Sequence, residues 1–113
     1  MVHPVEQKYI GVIGSAANVP DEIFKMAEEV GRLIAVAGCI TVTGGGTGIM
    51  EAASRGAKQA GGLVVGILPE GDRQGANAYI DVAIPTGIGY ALRNITTIRA
   101  CDSVIMVLSL IHI

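Results

Sequence analysis

Short apolar runs alternate with helix-like segments along this chain. Three of the runs, Tyr9 to Ile13, Cys39 to Thr43 and Leu63 to Leu68, are each closed by glycine or proline and are too short to be helices. Strands and helices that alternate with short links predict an α/β fold, in which right-handed crossovers wrap helices around a parallel sheet. Charged residues make up only 16% of the chain, which agrees with strands that are buried on both faces.

The first two helices are predicted from apolar spacing and from their ends. Pro20 fits a first helical turn, and Gly38 fits the end of the first helix. The second helix is predicted over Ile49 to Ala60, with an ion pair between Glu51 and Arg55 at i,i+4 spacing. The apolar face of the first helix recurs every three or four residues, at Ile23, Ala27, Val30, Ile34 and Ala37.

The second half of the chain is predicted to add a loop, two strands and a helix. Residues 69–78 are polar and rich in turn formers, so we expect an exposed loop there. A short fourth strand or an extended segment is predicted over Tyr79 to Ile84, followed by a helix from about Gly89 to Ala100. A further strand is predicted to begin over Ser103 to Val107. The apolar residues of that helix are predicted to face inward: Leu92, Ile95 and Ile98.

Composition and charge exclude several function classes. The 8 Lys and Arg residues are scattered among 10 Asp and Glu, so no basic stripe is available for nucleic acid. No apolar run approaches the ~20 residues that cross a membrane, and no signal-peptide core is visible, so a cytoplasmic location is expected. Cys39 and Cys101 are expected to be reduced core residues. No metal site is predicted, because His3 and His112 lie at opposite ends.

The strongest candidate site is a glycine-rich turn between the second strand and the second helix. It reads Thr43-Gly44-Gly45-Gly46-Thr47-Gly48-Ile49-Met50-Glu51. Glycines let the backbone approach a ligand closely, and the start of the next helix favours an anion. The turn is not a Walker A loop, because no Gly-Lys-Ser/Thr follows, and Ile49 stands where a dinucleotide fingerprint has its third glycine. We therefore predict a phosphate site here; a tight turn without a ligand is the alternative.

Two further segments are candidate parts of the same site. Gly14 and Ser15 end the first strand, and ligands of open α/β sheets bind beyond the carboxyl ends of strands. Arg93 follows a glycine-rich helix entry and could clamp a phosphate bidentately, whereas Arg99, six residues later, need not share its face. A structural turn and a solvated surface charge are the respective alternatives. The predicted ligand-binding residues are Gly14, Ser15, Gly44, Gly45, Gly46, Thr47, Gly48, Met50 and Arg93.

These residues together resemble the Lonely Guy (LOG)-like superfamily of Rossmann-like nucleotide-binding proteins. The resemblance spans residues 9–107 and rests on the glycine turn, on Ala60-Gly61-Gly62 before the third strand, and on Thr86-Gly87 ahead of Arg93. It implies a Rossmann-like three-layer fold with a parallel sheet. Within the superfamily, the segment Asn77-Ala78-Tyr79 and the paired arginines are most similar to the branch containing molybdenum cofactor carrier proteins.

The resemblance also carries functional expectations. It implies a binding or carrier protein for a phosphorylated small molecule, with a nucleotide or the molybdenum cofactor as ligand and no cofactor required. It implies a homo-oligomer when the protein is full length. A sensor domain within a larger assembly is a third reading.

An enzymatic alternative follows from the same resemblance. Cytokinin-activating members of the superfamily hydrolyse the N-glycosidic bond of nucleoside 5′-monophosphates, and Arg93 matches the arginine of their catalytic pair. The partner glutamate belongs to a Gly-Gly-x-Gly-Thr-x-x-Glu motif that this sequence lacks, and Asn94 stands where those enzymes have lysine. Lysine decarboxylation, an activity named for many members, is not expected, because no lysine here is marked as a pyridoxal phosphate site.

The carboxyl end of the sequence is expected to be non-native. The sequence stops within or just after its last apolar strand, without a helix to cover that strand. Residues 108–113 back-translate as CTG TCT CTT ATA CAC ATC, which resembles a transposase adapter used to build sequencing libraries. We therefore expect residues 1–107 to be a Rossmann-like nucleotide-binding domain without its C-terminal part, and residues 108–113 to be read-through.

Overall fold

The computed structural model describes residues 7–17 and 19–107, and it confirms the predicted order of elements. The elements are β1 (Tyr9–Gly14), α1 (Asp21–Val36), β2 (Ile40–Thr43), α2 (Ile49–Gln59), β3 (Val64–Leu68), β4 (Val82–Pro85), α3 (Gly89–Ala100) and β5 (Ser103–Val107). The tail predicted to be read-through and both histidines lie outside the described residues.

All strand pairings in the sheet are parallel, and the strand order is β4-β3-β2-β1-β5. The chain lays down β1 to β4 side by side and then crosses back, so that β5 pairs with the free side of β1. Because the strands are parallel, their carboxyl ends share one edge of the sheet. The predicted α/β class and Rossmann-like three-layer arrangement are confirmed.

One boundary differs from the prediction by three residues. The fourth strand begins at Val82 rather than Tyr79. Asn77 accepts a hydrogen bond from the backbone N–H of Tyr79 at 3.0 Å, which holds the chain in a turn. The backbone N–H of Asp81 then donates to Val64 at 2.9 Å, just before the strand begins.

Helices α1 and α2 cover one face of the sheet and approach each other at backbone distance. A methyl group at Gly31 would overlap the carbonyl oxygen of Ala53, and one at Gly56 would overlap that of Glu28. The predicted face of α1 is buried at Ala27 and Ile34. Its other predicted members are Ile23 and Val30, which pack against this core, and Ala37, which is exposed at the helix end.

Helix α3 covers the opposite face, and its predicted orientation is wrong. Leu92, Ile95 and Ile98 are 55%, 52% and 48% exposed, whereas Arg93 and Thr97 are buried. The Arg93 guanidinium donates to backbone carbonyls beneath the helix. Because buried polar groups need hydrogen-bond partners, these bonds turn the Arg93 side of α3 towards the sheet. The neighbouring apolar side chains, about 100° per residue around the helix, are turned towards solvent.

The described residues contain no helix that is long and apolar enough to cross a membrane. They also contain no cluster of three or more His, Cys, Asp or Glu side chains that could hold a metal ion. Cys39 and Cys101 are half-buried free thiols that pack against the two apolar clusters, as expected for core residues. Burial, together with the adjacent Asp102, raises the pKa of the Cys101 thiol.

Candidate functional site

The glycine turn lies beyond the carboxyl end of β2 and is crowded on several sides. Gly45 and Gly48 have φ angles of +79° and +69°, which favour glycine. A methyl group at Gly44 would overlap the Arg93 guanidinium, and one at Gly48 would overlap the carbonyl oxygen of Ser15. Packing therefore explains part of the glycine run without reference to a ligand.

The turn presents backbone donors that the protein does not use. The N–H groups of Gly46, Thr47 and Gly48 donate to no protein acceptor within the ranges that the structure describes. The next N–H group, that of Ile49, donates to Ser15 at 3.0 Å. Unpaired N–H groups at the start of α2, with the positive end of its dipole, are suited to an anion.

Arg93 is the charged group of the site. Its side chain is 4% exposed, so the alternative of a solvated surface charge is wrong. Nη1 donates to the carbonyls of Gly44 at 2.5 Å and Ile67 at 3.2 Å, and Nε donates to Asn94 Oδ1 at 2.9 Å. Among the described residues, Nη2 has no acceptor and no carboxylate forms an ion pair with the guanidinium. Burial lowers the pKa of Arg93, and nearby Glu70 and Tyr90 partly oppose that shift.

Two adjoining cavities of about 190 and 210 Å³ lie at this edge of the sheet. We call them together the arginine cleft, because five residues line both: Ala16, Gly44, Met50, Tyr90 and Arg93. The ring of Tyr90 lies under the guanidinium, with its centroid 5.7 Å from the Arg93 Cζ atom. The cleft therefore joins residues from β1, the glycine turn, α2 and α3, which are distant in the sequence.

The structure brings most of the predicted site residues to this cleft. Its lining includes Gly14, Gly44, Gly46, Thr47, Met50 and Arg93. Gly45 packs against Leu68, and Gly48 lines a neighbouring cavity. Ser15 lines none of these cavities, and its hydroxyl oxygen accepts from the N–H of Ala17 at 3.1 Å. Arg99 is exposed and lines none of them either.

Asn77 holds the glycine turn in shape, a role that the sequence analysis missed, since it named this residue only as part of the resemblance. Asn77 Nδ2 donates to the carbonyls of Gly45 at 3.3 Å and Gly46 at 2.8 Å, and the Asn77 backbone N–H also donates to Gly45 at 2.8 Å. Glu70, also missed, lines the cleft. Both residues belong to the loop after β3, whose carboxyl end lies at the same edge. Their place in a loop that follows the carboxyl end of a strand is the sequence feature that could have indicated them as site residues.

The ion pair predicted within α2 is wrong. Arg55 Nε lies 3.1 Å from Glu28 Oε2 of α1 rather than against Glu51. The close approach of the two helices brings the α1 carboxylate within reach of Arg55. Glu51 is left half-buried in the first turn of α2, and its carboxylate has no hydrogen bond or ion pair with any residue that the structure describes.

Proteins of known structure share this fold at substantial identity. A molybdenum cofactor binding protein from Rippkaea orientalis is 38% identical, with a TM-score of 0.88 over 93% of this chain and 64% of its own. The molybdenum cofactor carrier protein from Chlamydomonas reinhardtii is 36% identical, with a TM-score of 0.78 over 90% of this chain and 62% of its own. The resemblance to molybdenum cofactor carrier proteins is therefore confirmed at the level of structure.

A relative from Archaeoglobus fulgidus, which has no described function, is 43% identical over 98 residues. That alignment covers 87% of this chain and 63% of the relative, so the chain spans a little under two thirds of the relatives described here. Residues 7–110 match the sequence profile of the SLOG cluster4 family, which confirms the LOG-like resemblance. With nearly the whole chain matched, the protein belongs to the SLOG cluster4 family.

Proposed function

We propose that this protein is a cytoplasmic binding or carrier protein for a phosphorylated small molecule of the nucleotide or molybdenum cofactor class. The phosphate is proposed to lie in the arginine cleft. One observation carries this proposal: Arg93 is a buried cation with no carboxylate partner among the described residues. A buried charge without an ion-pair partner is costly, and an anionic ligand supplies that partner.

The backbone of the turn supports the same ligand chemistry. Phosphate oxygens accept several hydrogen bonds at once, and the free N–H groups of Gly46, Thr47 and Gly48 lie beside the cleft that Arg93 lines. Arg93 Nη2 adds a charge-assisted donor. A neutral ligand would leave the guanidinium without a direct ion pair, because Glu70 lies near Arg93 but forms no salt bridge with it.

Binding is better supported than hydrolysis. An N-glycosidic hydrolase must position water and stabilise or protonate a leaving base. The carboxylate that lines the arginine cleft is Glu70, an exposed residue of the loop after β3. Two solved proteins similar to this chain are named for binding or carrying the molybdenum cofactor, which favours the carrier proposal.

Calorimetric titration with AMP, GMP and the corresponding nucleosides tests the proposal. We expect the monophosphates to bind at least tenfold more tightly than the nucleosides. Arg93→Ala should weaken monophosphate binding by about ten- to a hundredfold, since a charged hydrogen bond contributes about 1.5–3 kcal/mol. Arg99→Ala is the matched control, because it removes an exposed arginine from the same helix and should leave binding unchanged.

Arg93→Lys keeps the positive charge but lacks the planar guanidinium that can donate two parallel hydrogen bonds to a phosphate. It provides a second test of the site if Arg93→Ala does not fold. Monophosphate affinity that Arg93→Ala leaves intact, in a protein with native circular dichroism, would contradict the proposal. Chromatography of the same mixtures tests the hydrolase alternative. Sustained release of free base that Arg93→Ala abolishes would replace the carrier proposal with a hydrolase.

A further inference from the structure

A third cavity, of about 500 Å³, lies beside the glycine turn. It shares Ala16 and Thr47 with the arginine cleft. The hydroxyl of Thr47 donates to the carbonyl of Ala16 at 2.9 Å, so the two shared residues are joined to each other. The two spaces therefore adjoin, and one small molecule can reach both.

The chemistry of this third cavity differs from that of the cleft. Phe24 contributes an aromatic surface, and Glu51 contributes a half-buried carboxylate. Arg55, the expected partner of Glu51, is paired with Glu28 instead. The carboxylate also forms no capping bond to the N–H of Gly48, among the bonds that the structure describes. Glu51 is thus an acceptor without a donor, next to an aromatic face.

Arg93 lies in the arginine cleft and Glu51 lies in the third cavity, on either side of Thr47. The other carboxylate of the cleft, that of Glu70, is exposed to solvent, which screens its charge. A phosphate is attracted to Arg93 and repelled by Glu51, so a ligand that spans both can lie in one direction only. The end that reaches Glu51 must offer hydrogen-bond donors, because a carboxylate can only accept. An aromatic neighbour further favours a flat ring at that end.

We propose, as an extension of the proposed function, that this third cavity is the heterocycle subsite of the ligand. Glu51 is the specificity-determining residue, and it accepts hydrogen bonds from adjacent ring N–H and amino groups. That donor pair occurs in guanine and in 2-amino-4-oxo pteridines, whereas adenine offers an amino group beside a ring nitrogen that only accepts. The subsite therefore selects guanine-like or pterin-like rings that carry a phosphate.

The test compares ligands that share the phosphate and differ in the ring. Wild-type protein should bind GMP about tenfold more tightly than IMP, which lacks the amino group, and also more tightly than AMP. Glu51→Gln should remove the difference between GMP and IMP, while ribose 5-phosphate, which has no ring to contact Glu51, should bind as before. Glu22→Gln is the matched control, because it removes an acidic residue from the first turn of α1 and should keep the preference.

A further comparison of ligands distinguishes pterins from guanine nucleotides as the occupant of the subsite. Dihydroneopterin monophosphate that binds more tightly than GMP would assign the subsite to pterins, and the reverse order would assign it to guanine nucleotides. Equal affinities for GMP, IMP and AMP, or a GMP preference that survives Glu51→Gln, would overturn the inference while ribose 5-phosphate binding upheld the phosphate site. Wild-type protein that binds neither ribose 5-phosphate nor GMP would overturn both proposals.

Discussion

Asn77 connects the loop after β3 to the glycine turn through its side chain and its backbone. Its Nδ2 atom donates to the carbonyls of Gly45 and Gly46, which hold the turn N–H groups in place. We expect Asn77→Ala to weaken GMP binding at least fivefold and to lower the free energy of unfolding by about 1–3 kcal/mol, because the part-buried Gly46 carbonyl loses its donor while the Gly45 carbonyl keeps the backbone N–H of residue 77. Titration calorimetry and urea unfolding measure these effects.

Asn77→Asp provides the comparison for that prediction. It keeps the oxygen that accepts from the N–H of Tyr79 and removes both side-chain donors to the turn. The aspartate variant should bind GMP no more tightly than the alanine variant, because its carboxylate oxygen faces the carbonyls of Gly45 and Gly46 and cannot donate to them. GMP affinity equal to that of the wild type in both variants would show that the turn keeps its shape without Asn77.

Individual residues of the site were predictable where residue type and position in an element sufficed. The glycine turn and Arg93 stand at strand and helix ends where an α/β sheet binds ligands, so the sequence indicates them. The partners of Asn77 and Arg93 are tens of residues away along the chain. Contacts of that kind depend on how elements pack, and a single sequence does not determine them. Arg55 pairs with Glu28 of α1 rather than with Glu51 for the same reason.

The contact between α1 and α2 makes a prediction at the scale of elements. Gly31 lies against the backbone of Ala53, so Gly31→Ala must push the helices apart or shift their register. We expect the free energy of unfolding to fall by about 1–3 kcal/mol, which is typical of overpacking. Gly71→Ala is the matched control, because nothing lies within 4 Å of a methyl group there. Equal urea midpoints for the two variants would contradict this account.

Alternation of strands and helices was enough to predict the order and type of the elements. The orientation of α3 was not predictable in the same way, because the apolar side chains Leu92, Ile95 and Ile98 gave a regular pattern that faces outward. A helix is oriented by everything that it buries, and here the buried group is a guanidinium with backbone acceptors on β3 and the glycine turn. The spacing of apolar residues alone does not take such hydrogen bonds into account.

Among the residues that the structure describes, α3 and the edge strand β5 expose apolar side chains. Leu92, Ile95 and Ile98 are each about half exposed, and Met106 of β5 is 61% exposed. Exposed apolar side chains on one helix face, together with an open sheet edge, favour association. We therefore expect the protein to self-associate with rising concentration, in line with the oligomer implied by the resemblance.

Light scattering after size exclusion measures that association directly. Ile95→Lys should shift the protein towards the monomer, because it places a charge in the centre of the exposed α3 face. Val36→Lys is the comparison, since Val36 is 65% exposed at the end of α1, away from that face. A wild type that stays monomeric at all concentrations would contradict the prediction.

The backbone carbonyls that hold Arg93 belong to Ile67 of β3 and to Gly44, which directly follows β2, so the sheet itself positions the guanidinium. The cation is therefore fixed before binding, and its side-chain entropy is lost during folding rather than on association. Binding to such a preorganised site requires no rearrangement of the Arg93 side chain. Encounter with an anion should then be fast and sensitive to ionic strength, and differences in affinity among related ligands should arise mainly from how long each remains bound.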